Sequence, residues 1–156
     1  MNDNNLKYEN YKEQFKRLKN ALNNGFNLEA LFIEYAIIED RSESILVHAE
    51  KWEAYLHHRR GHQITMDSKL KYIQKLAENK KDKLHRYFKD DLIEQILSWK
   101  EERNRLIHAL LKQKLQEDEI LKLANEGYEL AKEFRNRATS YRRTVDKQKK
   151  QEAVTI

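Results

Sequence analysis

No proline interrupts this chain of 156 residues, and glycine occurs only at positions 25, 61 and 127. These are the residues that break helices, so their scarcity leaves long helices as the natural outcome. A sequence rich in Lys, Glu, Leu, Asn and Gln points the same way, to an all-α protein. Hydrophobic residues make up 39% of the chain and charged residues 37%. A core is therefore affordable but thin, to be completed within an elongated bundle or by a second copy. The expected architecture is an up-and-down bundle of four to five helices, two or three of them long, in a dimer. Residues 1–145 read as a single helical domain, and 146–156 as a basic, frayed tail.

Apolar spacing places the helices. The first runs from about Asn4 to Asn23 on a stripe of Leu6, Tyr8, Tyr11, Phe15, Leu18 and Leu22, and Gly25 stops it. The second starts at Asn27 as N-cap and runs to Arg60, where Gly61 ends it. Its stripe (Leu28, Leu31, Phe32, Tyr35, Ile38, Ile45, Leu46 and onward) includes Glu39 and Ser42, with Glu34 and Arg41 at the border. A third helix runs from Asp67, as N-cap, to Asn79. Lys80–Lys83 is a turn, and Leu84–Phe88 a further turn. The fourth helix spans Asp90 to Leu115. The fifth starts near Glu117 and thins past Tyr141 into Arg142, Arg143, Lys147, Lys149 and Lys150.

Several classes drop out. With no cysteine there is neither a disulfide nor thiolate chemistry, and a reducing cytoplasm is compatible. No apolar run approaches the ~20 residues of a membrane span, and Met1-Asn2-Asp3-Asn4-Asn5 does not read as a signal peptide. A cytoplasmic location away from membranes is expected. The His57-His58-Arg59-Arg60-Gly61-His62 run lacks a carboxylate or thiolate at ligand spacing, so it reads as a solvated basic helix end, with no metal and no cofactor expected. Net charge is +5 and the pI about 9.2, which favours an anionic partner, nucleic acid first.

The informative stretch is Trp99-Lys100-Glu101-Glu102-Arg103-Asn104-Arg105-Leu106-Ile107-His108. At about 100° per residue, Ile93, Ile96, Leu97, Ile107, Leu110 and Leu111 share one apolar face. Lys100, Arg103 and Asn104 fall inside that face, and His108 at its edge. A buried polar group without a partner costs about 1–3 kcal/mol, so these residues have buried partners or the face opens into a cleft. Glu39 is expected to approach Lys100, Arg103 or His108, since a buried carboxylate wants a cation.

Arg103-Asn104 followed after three residues by His108 resembles the R-x(4–6)-H motif of the HEPN superfamily, in which a polar residue commonly follows the Arg. The resemblance covers six residues by motif and the remainder by architecture alone. It implies a small all-α, metal-independent endoribonuclease of a toxin–antitoxin or phage-defence system, with RNA as substrate and an antitoxin protein as a further partner. In such chemistry the 2′ oxygen attacks the neighbouring phosphorus, leaving a 2′,3′-cyclic phosphate and a 5′-OH. His108 would serve as acid or base and Arg103 would hold the charge on the phosphate. Asn104 would orient the His108 ring or the phosphate, and Arg105, Lys100 and Glu39 would assist as RNA contacts or supports. Arg103 and His108 lie about 140° apart around a straight helix. The resemblance implies the remedy of a homodimer whose two motifs share one composite site. Where some HEPN toxins carry a modifiable Tyr two residues after the His, this chain has Leu110, which gives no support to silencing by that route.

Two other classes compete: a non-catalytic HEPN-like helical dimer that binds nucleic acid or a protein, and a structural helical protein whose motif match is accidental. On this reading His108→Ala spares the fold, whereas Leu111→Asp damages it.

Overall fold

A computed structural model describes residues 3–155, with Asn4 described by its backbone alone. Met1, Asn2 and Ile156, the outermost residues of the expected leaderless start and basic tail, lie outside the described residues. Among the described residues the chain is all-α, with seven helices: α1 (Asp3–Asn23), α2 (Asn27–His48), α3 (Trp52–His58), α4 (Met66–Ala77), α5 (Lys83–Phe88), α6 (Leu92–Ala109) and α7 (Glu117–Thr155). The expected five become seven because the second is broken in two and the Leu84–Phe88 turn is helical.

The break in the second helix falls at Glu50, whose φ is 57°. The Lys51 N–H reaches back to the Leu46 carbonyl (2.9 Å) and the Glu50 N–H to Val47 (3.0 Å). This is a Schellman ending built without glycine, and a non-glycine residue in that region is strained. What the turn gains is Tyr55, fully buried in α3. Its ring stands edge-on to Tyr72 at 5.4 Å, and its hydroxyl lies 2.6 Å from Ser68 Oγ. At Gly25 the same ending closes α1 as expected: φ is 75° and the Phe26 N–H bonds the Ala21 carbonyl at 2.8 Å.

Two helix starts differ from expectation. Phe26, not Asn27, is the N-cap of α2 and offers no side-chain bond. Asn27 is buried, and its Oδ1 has no partner among the described residues. Thr65, not Asp67, caps α4 through a reciprocal box with Ser68, each side chain bonding the other's backbone N–H at 3.1 Å. Asp67 is thereby free to meet Lys100.

α2 and α7 run side by side and parallel, with Glu34 at the level of Gly127 and Glu50 at that of Lys149. α6 lies antiparallel on α7, with Trp99 Nε1 donating to the Leu123 carbonyl (3.0 Å). α1 folds back along α2, so Tyr11 meets Asp40 and Arg41. One cluster of buried residues runs through all seven helices. Gly127 is where α7 comes closest: a Cβ there would sit 2.3 Å from Glu34 Oε1 and 2.7 Å from Trp99 Cζ2.

Four apolar assignments are corrected. Phe32, expected on the buried stripe of the second helix, is 58% exposed, on the rim beside Arg103. Leu111 is fully exposed, because α6 ends at Ala109 and the chain leaves the helical phase. Trp99, Leu106 and Ala109 are buried on that helix instead, so Leu111→Asp has no core to damage. Leu6 and Tyr8 are also exposed, since polar Ser44, His48 and Ser140 line the gap that the start of α1 faces. Where a frayed tail is expected past Tyr141, α7 continues as helix to Thr155, with Val145 its last buried residue.

Candidate functional site

Among the described residues four cations are buried: Arg41, Lys69, Lys100 and Arg103. Three have carboxylates. Arg41 pairs with Asp40 at 2.8 Å while lying 4.1 Å over the Tyr11 ring. Lys69 lies between Glu39 (3.9 Å) and Glu43 (3.7 Å). Lys100 bonds Asp67 at 2.6 Å and Glu101 at 2.9 Å. Burial pulls the Lys100 ammonium down, but those two bonds more than offset it and its pKa is raised.

Arg103 differs. It is 8% exposed and has no ion pair among the described residues. Its guanidinium lies 4.2 Å from the Tyr35 ring centre and 5.4 Å from that of Phe32. Nε donates to the Leu31 carbonyl at 3.4 Å and Nη1 to Asn104 Oδ1 at 3.2 Å. Cation–π contact lowers the cost of burying a guanidinium, but it supplies no counter-charge.

The nearest carboxylate in energetic terms is Glu34, and it is in no state to help. It is fully buried, and neither oxygen has a hydrogen-bond partner among the described residues. Burial pushes its pKa up to about 9, with the Arg103 charge pulling only partly the other way. Glu34 is thus a neutral carboxylic acid at neutral pH, wedged beside Trp99 and Gly127.

Each residue singled out in the sequence can now be placed. Lys100 and Arg103 are buried and Asn104 half-buried, on the inner side of α6. Asn104 turns its oxygen to Arg103 rather than to His108. His108 is exposed, and no hydrogen bond to it is present among the described residues. Arg105 is exposed and held by Glu102 and Glu119, each at 3.1 Å. Glu39 is half-exposed, and its ion pair is with Lys69, not with Lys100, Arg103 or His108. The acid beside Arg103 is Glu34, which sequence reading left at the border. The signal was present: Leu31, Glu34, Ile38, Arg41 and Ile45 follow one another at three or four residues, and Gly127 marks a close approach inside a helix.

A groove of about 1090 Å³ lies elsewhere, between α1, the second half of α2 and the second half of α7. Arg135, Arg142 and Arg143 line it together with Tyr8, Tyr11 and Lys12. Arg137 is turned away, bonded to Asp90 (2.6 Å) and Glu133 (2.8 Å). Among the described residues no helix is long and apolar enough to cross a membrane. Compared with protein-family models, curated proteins and solved structures, the chain matches none.

Proposed function

We propose that this chain is a metal-independent endoribonuclease of the HEPN kind, serving in a toxin–antitoxin or phage-defence system, with a site completed by a second copy. The observation that carries the reading is the uncompensated charge of Arg103. A buried guanidinium without a carboxylate, steadied by two rings and Asn104, is suited to an anion from outside, and its planar fork matches a phosphate. His108 stands exposed one turn beyond Asn104, where it can take or give a proton.

Within one copy Arg103 and His108 point about 140° apart on α6, so one chain cannot hold both against one phosphate. Phe32, 58% exposed beside Arg103, and Leu111, exposed just beyond His108, offer apolar ground on which a second copy can seat. In the composite site one His108 removes the 2′-OH proton, and the 2′ oxygen bonds to phosphorus. The bond from phosphorus to the 5′ oxygen breaks, and the other copy's His108, protonated, supplies the proton that leaves as 5′-OH. Arg103 stabilises the negative charge on the phosphate oxygens.

A second reading, a helical dimer that binds nucleic acid without cutting it, is favoured by Asn104 turning away from His108. RNA cleavage in EDTA separates the two. The wild type should yield cyclic-phosphate ends, and His108→Ala should lose roughly 10²–10⁴-fold in rate while keeping its fold. Cleavage retained in His108→Ala overturns the assigned role. A wild-type dimer inert on total RNA and tRNA selects the second reading.

A further inference from the structure

The groove between α1, α2 and α7 contains neither Arg103 nor His108. Six cations line it, Lys7, Lys12, Arg41, Arg135, Arg142 and Arg143, against one lining carboxylate, Asp146. From the edge Asp40 neutralises Lys7 at 3.5 Å and Arg41 at 2.8 Å. Lys12, Arg135, Arg142 and Arg143 have no ion pair among the described residues. On the groove wall burial lowers the His48 pKa; Asp146 pulls it up, and Arg142, Arg41 and Lys149 push it down.

Aromatic rings are interleaved with these charges. The Arg135 guanidinium lies 4.0 Å from the Phe15 ring centre, and Arg41 is laid over Tyr11 in the same way. A guanidinium centred over a ring on one side can present its other side to a base. Tyr8 is 64% exposed; among the described residues it has no aromatic neighbour, and Lys12 Nζ lies 6.0 Å from its ring centre, on one face only. Along α7 the lining runs from Arg135 to Asp146, roughly 16 Å at ~1.5 Å per residue. That length and the groove's volume exceed what a small metabolite fills and suit a few nucleotides of an extended strand.

We propose that this groove binds single-stranded nucleic acid, with Lys12, Arg142 and Arg143 on the phosphates and Tyr8 and the outer face of Arg135 as stacking platforms. A duplex buries its base faces and would leave those platforms idle. The proposal is independent of any chemistry at Arg103 and His108.

The test is fluorescence anisotropy of the full chain with a short unstructured 2′-O-methyl RNA, which cannot be cleaved by 2′ attack, and with its duplex. Arg142→Ala/Arg143→Ala should weaken single-strand binding about tenfold and flatten the salt dependence by roughly 1.4 log units per log unit, ~0.7 for each lost phosphate contact. Tyr8→Ala should weaken it about tenfold with the salt slope unchanged. All three residues are exposed, so helix content by circular dichroism should hold. The control is Lys114→Ala/Lys122→Ala, which removes the same charge from exposed positions outside the groove. An equal loss in that control, or tighter binding of the duplex, overturns the proposal. The probe cannot be cut, so a failure of the cleavage reading leaves this result standing, and the reverse.

Discussion

Lys100 and Arg103 sit one turn apart on α6, 7% and 8% exposed, yet they are held in opposite ways. Lys100 has two carboxylates within 2.9 Å. Arg103 has rings, a carbonyl and an amide, and burial pushes the pKa of the acid near it up to about 9. Burying a charge is costly, and pairing is the usual remedy. At Lys100 the remedy is complete within the chain. At Arg103 the charge is only made tolerable, by delocalisation over a planar group and by stacking. One site is therefore closed, and the other can gain by receiving an anion.

The largest expected effect would break this comparison, by ionising Glu34. Its folded pKa is about 9 against an ordinary 4.5. Between those values the folded chain holds a proton that the unfolded chain releases, so stability falls as pH rises. The contribution is whole below about pH 4.5 and is lost progressively up to about pH 9, with a limiting slope of ~1.4 kcal/mol per pH unit. Wild type should lose about 4 kcal/mol between pH 5 and 8 from this group, and Glu34→Gln, a neutral isostere, should not. Urea denaturation at several pH values checks it; parallel curves for the two proteins would refute the neutral acid and restore Glu34 as the partner of Arg103.

Gly127→Ala comes next. Alanine favours a helix over glycine by about 1 kcal/mol, but here its Cβ would enter the space of Glu34 and Trp99. Overpacking costs about 1–3 kcal/mol, and a 2.3 Å approach belongs at the upper end, so a net loss near 2 is expected by thermal or urea unfolding. A gain would mean that the Glu34 side chain moves freely, and that its pocket is not the tight, dry one that keeps it neutral.

These two residues also show what could be read in advance. Gly25 and Gly61 stand where left-handed turns are needed, with φ of 75° and 82°, and both stops were visible as glycines. The Glu50 turn carried no such mark, because the buried Tyr55 beyond it, not local propensity, compensates its strain. Asn27 and Asp67 have the right chemistry for caps, but Asp67 is used by Lys100 and Thr65 caps in its place. That Arg103 and Lys100 lie on a buried face followed from helical spacing. Which acid faces which cation did not, since it depends on how α2, α4 and α6 are rotated against one another. Glu34 and Glu39 differ by little more than one turn, and only packing decides between core and rim.

Replacing each cation by methionine sharpens the contrast. Lys100→Met leaves Asp67 with Lys71 at 2.9 Å as its remaining partner and should cost about 1–2 kcal/mol. Hydrogen bonds from Lys100 and Lys71, against the opposing effect of burial, hold the Asp67 pKa below its ordinary value. That stability is present above the ordinary carboxylate range and lost as pH falls through the lowered value, and the variant should lose part of this acid dependence. Arg103→Met removes a charge that nothing neutralises, so its change should stay within about 1 kcal/mol of zero. Equal costs would erase the distinction between the two sites.

The smallest effect is the most direct probe of Arg103. An anion that binds only the folded chain raises its stability by RT ln(1 + [L]/Kd), about 1.4 kcal/mol at ten times Kd, or roughly 3–5 °C in a chain of this size. Inorganic phosphate should therefore raise the unfolding temperature of the wild type and of Lys100→Met. It should do so less in Arg103→Met, because the other exposed cations give only the weak, screened response common to basic proteins. Chloride at matched ionic strength sets that background. If Arg103→Met responds as fully as Lys100→Met, the buried guanidinium is not a phosphate seat, and its charge is carried by the Tyr35 and Phe32 rings alone.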